Sequence, residues 1–164
     1  MEKDLNFENI NKEELPYREA ALAFVINDHN EILLVQKHNY SQNQWEFPGG
    51  GIEEDEDPQT AAIRELEEEL STDQFEIKQK SPVQLKYDWD INTIKNAYDK
   101  TDKLYRGQLS HQLLIKYKGN KNLEIDPEEI RTYKWVSIID LDKYLIFEGQ
   151  LENAKRVLES FNLI

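Results

Sequence analysis

Residues 57–72 read Asp57-Pro58-Gln59-Thr60-Ala61-Ala62-Ile63-Arg64-Glu65-Leu66-Glu67-Glu68-Glu69-Leu70-Ser71-Thr72, and the register of this stretch decides how the chain folds. Asp57 can cap the free amides of a helix start, and proline suits the first helical position. Gln59 to Leu70 are mostly good helix formers, so the stretch predicts a helix over 58–70. At about 100° per residue, Ile63, Leu66 and Leu70 share a stripe expected to face a core. Glu65, Glu68 and Glu69 gather on the opposite side, as neighbours three and four positions apart. Carboxylates held together on a rigid element repel one another. A hard divalent cation relieves that repulsion, and Mg²⁺ favours such oxygen ligands completed by water and substrate phosphate. An acidic run is by default a solvated helix face, and the helix alone leaves both readings open.

Working outward, Gly49-Gly50-Gly51 lies between Trp45-Glu46-Phe47, whose alternation reads as a short strand, and the helix. Three glycines allow a turn closed to other residues and let a ligand approach the backbone. A glycine loop beside a carboxylate helix suits a polyphosphate whose charge a cation neutralises. Upstream, Ala20 to Ile26 and Ile32 to Val35 flank the turn cluster Asn27-Asp28-His29-Asn30 and predict a hairpin. Downstream, Val83 to Trp89, Gln108 to Tyr117 and Tyr133 to Val136 read as strands, and residues 90–106 as polar and irregular with one helical turn. Leu151, Ala154, Val157, Leu158 and Phe161 have the spacing of a second amphipathic helix. Strands interleaved with two helices predict an α/β (α+β) fold with a mixed β-sheet between helices.

Gly50, Glu56, Arg64, Glu65, Leu66, Glu68 and Glu69 stand in the register G-x5-E-x7-R-E-U-x-E-E, where U is apolar, and this resembles the box of the Nudix hydrolases. Ser71 stands where that box has glycine, and Thr72 where it has an apolar residue. Serine at a left-handed helix end costs on the order of 1 kcal/mol, so the departure bears on helix termination and not on metal binding. The resemblance implies an α/β/α sandwich. It implies that Glu65, Glu68 and Glu69 coordinate Mg²⁺ or Mn²⁺, one of them also orienting the attacking water, and that the Gly49 carbonyl adds a ligand. Arg64 would hold the glutamates by ion pairing, and Glu56 would be structural. Metal-assisted hydrolysis needs no covalent nucleophile, and His29, His38 and His111 read as surface or structural residues.

Tyr17-Arg18, Trp45-Glu46-Phe47-Pro48, Tyr87-Asp88-Trp89, Arg106-Gly107-Gln108 and Pro127-Glu128-Glu129 are similar to the dinucleoside polyphosphate hydrolase and RNA pyrophosphohydrolase branch. In that branch a glutamate seven residues before Val136 joins the metal site. Here it is Glu129, which reads equally as an ordinary loop acid. Arg18 and Lys37 are candidate phosphate contacts, as are Lys86 and Arg106; Gly50 allows close approach of the substrate, and Tyr87 or Trp89 could stack on a base. Two departures weaken the RNA version: Gly49 where Gln is common, and Ser110 where a second Gln follows Gly-Gln.

The whole chain of 164 residues is expected to hold a short arm, 1–16, and one domain, 17–164, with the box at 50–72. It carries 33 acids against 20 bases, a net charge of −13, which speaks against a general nucleic-acid binder. The absence of cysteine excludes disulfides, zinc–thiolate sites and cysteine nucleophiles. No apolar run approaches a membrane span, and the polar, acidic start does not read as a signal peptide. The expectation is a cytoplasmic monomer or homodimer that hydrolyses a phosphoanhydride bond. A dinucleoside polyphosphate such as diadenosine tetraphosphate comes first and a 5′-triphosphorylated RNA end second. The alternatives are a (d)NTP pyrophosphohydrolase and a non-catalytic nucleotide sensor, the latter disfavoured by the retained glutamates.

Overall fold

A computed structural model describes residues 5–120 and 122–164. Strands β1 (Tyr17–Ile26) and β2 (Glu31–Gln36) flank the expected turn, in which the Asn27 side-chain oxygen accepts from the amides of His29 and Glu31. Next come β3 (Gly49–Gly51), helix α1 (Pro58–Leu70), β4 (Phe75–Lys80), β5 (Leu85–Asp88) and helix α2 (Ile91–Thr101). β6 (Gly107–Tyr117), β7 (Thr132–Ser137) and helix α3 (Gln150–Ser160) complete the order.

These strands form one mixed sheet, ordered β4-β6-β1-β2-β7, with β3 also pairing β1 and β5 also pairing β6. The long central pair β1–β6 is parallel and the other pairs are antiparallel. Ala20 to Ile26 is continuously apolar because both faces of β1 are covered. Ala21, Ala23 and Val25 pack with Ala61, Ala62, Leu66 and Leu70 of α1. Phe24 and Ile26 join Ala154, Val157 and Leu158 of α3 in a second core on the other face. The architecture is therefore an α/β/α sandwich with a mixed sheet, as the resemblance implies.

Three local readings are corrected, and one strand was not read. Gly49–Gly51 is not a loop: the glycines form a short strand against Leu22, Ala21 and Ala20. Trp45-Glu46-Phe47 is not a strand and contributes only a single bridge, Glu46 to Val35. Residues 91–101 form a helix of three turns, capped by Asp90, whose carboxylate accepts from the Thr93 amide at 2.8 Å. Only Ile94 of α2 is buried, so its periodicity is faint in sequence; Tyr98 instead packs edge-on against Phe7 of the arm, with ring centroids 5.8 Å apart. β4 was not legible either, because Lys78, Gln79 and Lys80 are exposed on a sheet edge, where polar residues discourage further pairing.

Helix α1 begins and ends for the reasons its residues supply. Asp57 accepts from the Thr60 amide at 2.7 Å, and Pro58 opens the helix. Ser71 occupies the left-handed conformation at φ 54°, ψ 35°, with its amide bonded to the Glu67 carbonyl. Leu66 and Leu70 are fully buried, whereas Ile63 is only partly so.

Two stability outcomes follow. Ser71→Gly should raise unfolding free energy by up to about 1 kcal/mol, since glycine adopts this backbone without steric cost. Leu66→Ala should lower it by about 2–5 kcal/mol. Chemical denaturation of the three proteins measures both.

Candidate active site

The site is built where β3 lies against α1. Arg64, one turn before the end of the acidic run, reaches back across the strand. Its Nη2 donates to the Gly51 carbonyl at 3.0 Å, and its Nε and Nη2 donate to the two Glu56 oxygens at 2.7 and 2.9 Å. Its Nη1 donates to Glu65 at 3.0 Å and to Glu68 at 3.4 Å. The Arg64 contact holds the Glu56 carboxyl far below the usual range, at about 2. Glu56 and Arg64 thus form the fixed pair, and Glu65 and Glu68 are held from one side.

Gly50 supplies the space for Glu65. A Cβ at Gly50 would strike the Glu65 carboxyl group, so the missing side chain lets that group lie against the strand. At Gly49 a Cβ would strike the Ala21 backbone, and φ is +148°, so glycine is required there for the strand itself.

Glu69 departs from expectation. It does not share the open side of the helix but is buried, with a relative exposure of 7%. Among the described residues its Oε2 has no hydrogen-bond partner. Burial first, then the nearby charges of Glu65, Glu46 and Glu129, push its carboxyl up to about 8, against a smaller opposing effect of Lys37. Glu65 is also raised, by burial, with Glu68 and Glu129 adding to it and Arg64 opposing. Four carboxylates outside the Arg64–Glu56 pair therefore act on one region: Glu46, Glu65, Glu69 and Glu129.

Glu129 lies at an exposed turn, and its charge reaches both Glu65 and Glu69. Lys37 is half exposed and pairs with Glu46 at 3.2 Å, while the Tyr40 hydroxyl donates to the other Glu46 oxygen at 2.6 Å. The charges of Lys37, Glu46 and Arg18 all act on the Tyr87 hydroxyl, and Tyr87 itself is 44% exposed. Arg18 lies beside Gly51 and donates to Gln108. Lys86 and Arg106 instead flank the Tyr17 ring, and Arg106 pairs with Asp88, so their charge is engaged elsewhere. Sequence reasoning missed Glu46 and Tyr40, because nothing in their local pattern shows that the loop after β2 folds back toward α1.

A divalent cation fits these residues. The donor set is carboxylate oxygen, which hard cations prefer, and a buried carboxylate with an orphaned oxygen is the group that a cation would satisfy. Among the described residues no three acidic or histidine groups stand as a ready-made cage. Of the expected ligands, Glu65, Glu69 and Glu129 act on one another's charge, and Arg64 bonds both Glu65 and Glu68.

Residues 16–159 match the NUDIX domain family. The chain is 36% identical over 121 residues to an RNA pyrophosphohydrolase of a Nitratiruptor species, an alignment covering 73% of this chain and 74% of that protein. Its fold is similar to the E. coli dihydroneopterin triphosphate pyrophosphohydrolase, with a TM-score of 0.65 and 16% identity, covering 88% of this chain and 99% of the other. A C. elegans Ap4A hydrolase superposes with a TM-score of 0.61 at 20% identity, covering 87% and 97%. The family match and the aligned relative make this chain a pyrophosphohydrolase. The chain belongs to the Nudix family.

The electrostatics fix a pH response for the metal-free protein. The folded pKa of Glu69 lies above its unfolded value, so the folded state binds more protons between about pH 4.5 and pH 8. Stability from this group is therefore present at low pH and lost as pH rises through that window. In EDTA the melting temperature should fall between pH 5.5 and 8, and Glu69→Gln should flatten the decline. Gly50→Ala tests the cradle for Glu65. It should fold, since only a flexible carboxylate must move, yet bind Mn²⁺ at least tenfold more weakly by calorimetric titration, within the range known for perturbed metal ligands.

Proposed function

We propose that the protein is a divalent-cation-dependent pyrophosphohydrolase that cleaves a phosphoanhydride bond of a nucleoside polyphosphate, with a 5′-triphosphorylated RNA end as its leading substrate. The observation that carries the cation dependence is the buried oxygen of Glu69, unpartnered among the described residues, within reach of the charges of Glu65, Glu46 and Glu129. The RNA reading is supported by the RNA pyrophosphohydrolase aligned over three quarters of the chain. It reverses the order of substrates that charge alone suggests.

The roles follow from position. When bound, the cation neutralises phosphate charge and lowers the pKa of a water that it holds. Arg64 keeps Glu65 and Glu68 oriented. Lys37 and Arg18 attract the anionic chain from the side of Tyr87, whose exposed ring offers a stacking face for a base. Burial of Glu69 excludes water from one side of the site.

A dinucleoside polyphosphate is the second reading. A specific observation favours it: the net charge is −13, and Lys86 and Arg106 are engaged around Tyr17, so few free bases are left to follow a longer RNA.

The test is a panel of triphosphorylated RNA, diadenosine tetraphosphate and NTPs with Mg²⁺ or Mn²⁺, products identified by chromatography. Monophosphorylated RNA with released phosphate or pyrophosphate is expected. Glu68→Gln should slow turnover by about two to four orders of magnitude, the range for a lost general-base or ligand carboxylate. An unchanged rate refutes the assignment, and NMP with pyrophosphate formed from NTPs as the preferred substrates points to a house-cleaning NTP hydrolase.

A further inference from the structure

The turn that carries Glu129 is anchored firmly at both flanks and by a single contact between them. At its start the Asp126 amide donates to the Glu69 carbonyl at 2.8 Å, so the turn is attached to the end of α1. At its end Ile130 is buried in the α1-side core. Arg131 follows, bonded to Gln36 through its backbone amide at 2.8 Å and its Nη2 at 2.7 Å. Within the turn, and among the described residues, Glu128 and Glu129 bond only back to Asp126. Among the described residues, His38 makes the one hydrogen bond that reaches residues 127–129 from outside, its Nε2 lying 2.5 Å from the Pro127 carbonyl. A carbonyl can only accept, so Nε2 carries the proton.

His38 is exposed and directly follows Lys37, whose ammonium pairs with Glu46 beside Glu69. One imidazole therefore ties the loop bearing Lys37 to the turn bearing Glu129. We propose that His38 is a positioning residue: it latches the Glu129 turn onto the loop after β2 and so holds the Glu129 carboxylate where a divalent cation needs it. This rests on the reading of Glu129 as a cation ligand. The histidine never touches the cation in this scheme. It limits how far residues 127–129 can swing away from α1, and an acidic side chain on a loosened turn would move away from Glu65 and Glu69, which repel it.

The experiment titrates Mn²⁺ into the full chain without substrate, by calorimetry at constant pH, for the native protein, His38→Ala, His38→Gln, Glu129→Gln and the double variant His38→Ala/Glu129→Gln. His38→Ala should weaken Mn²⁺ binding about tenfold, the low end for residues that orient a ligand, with a melting temperature in EDTA close to that of the native protein. His38→Gln, whose amide can donate to the same carbonyl, should recover most of the affinity. Glu129→Gln should weaken binding at least as much, and the double variant should be no weaker than Glu129→Gln, because the two residues act as one unit. Native affinity in His38→Ala, native affinity in Glu129→Gln, or losses that multiply in the double variant would each overturn the proposal. Because no substrate is present, this outcome is independent of turnover: absent hydrolysis with the latch pattern intact would refute only the activity.

Discussion

The site depends on one guanidinium. Arg64 binds the Gly51 carbonyl, both oxygens of Glu56 and one oxygen each of Glu65 and Glu68, so a strand backbone, a loop acid and two helix acids are referred to one rigid group. Its planar fork can make these contacts together, which a lysine could not. The strand can come this close because Gly50 has no side chain to displace Glu65. Removing either feature would separate the helix acids from the β3 backbone.

Two kinds of carboxylate result, and magnitude separates them. The Arg64–Glu68 contact is long and half exposed, and such pairs contribute about 0–1 kcal/mol. Glu69 is different: a buried ionised carboxylate without a partner costs several kcal/mol, and its raised pKa expresses the same cost. The fold tolerates it because the rest of α1 is secured by Leu66, Leu70, Ala61 and Ala62. Local instability is concentrated at the one position where a cation would remove it. In the proposed function, that arrangement would exchange metal-free stability for cation affinity, as functional sites commonly do.

Much of the helix and its chemistry was legible before any coordinates. Asp57, Pro58 and the left-handed Ser71 act locally, so their residue types suffice to place the ends of α1. The box acids are legible because helix geometry turns spacing directly into proximity. The glycines were read as free backbone, yet their freedom serves a paired strand, since pairing depends on β1 and not on the glycines themselves. Helix α2 was missed because it buries only Ile94 and leans on Phe7, a contact that spans most of the domain's sequence.

By itself, then, the sequence determined the mixed α/β class, the ends of α1 and the identity of the box residues, which follow from short-range periodicity, capping and spacing. The tertiary structure alone decided that Glu69 is buried and not solvent-facing, that Glu46 and Tyr40 border the site, and that His38 closes on the Glu129 turn. These facts depend on how the segments after β2 and before β7 fold back onto α1. Burial and long-range charge are properties of the assembled sheet and its loops, and no local spacing encodes them.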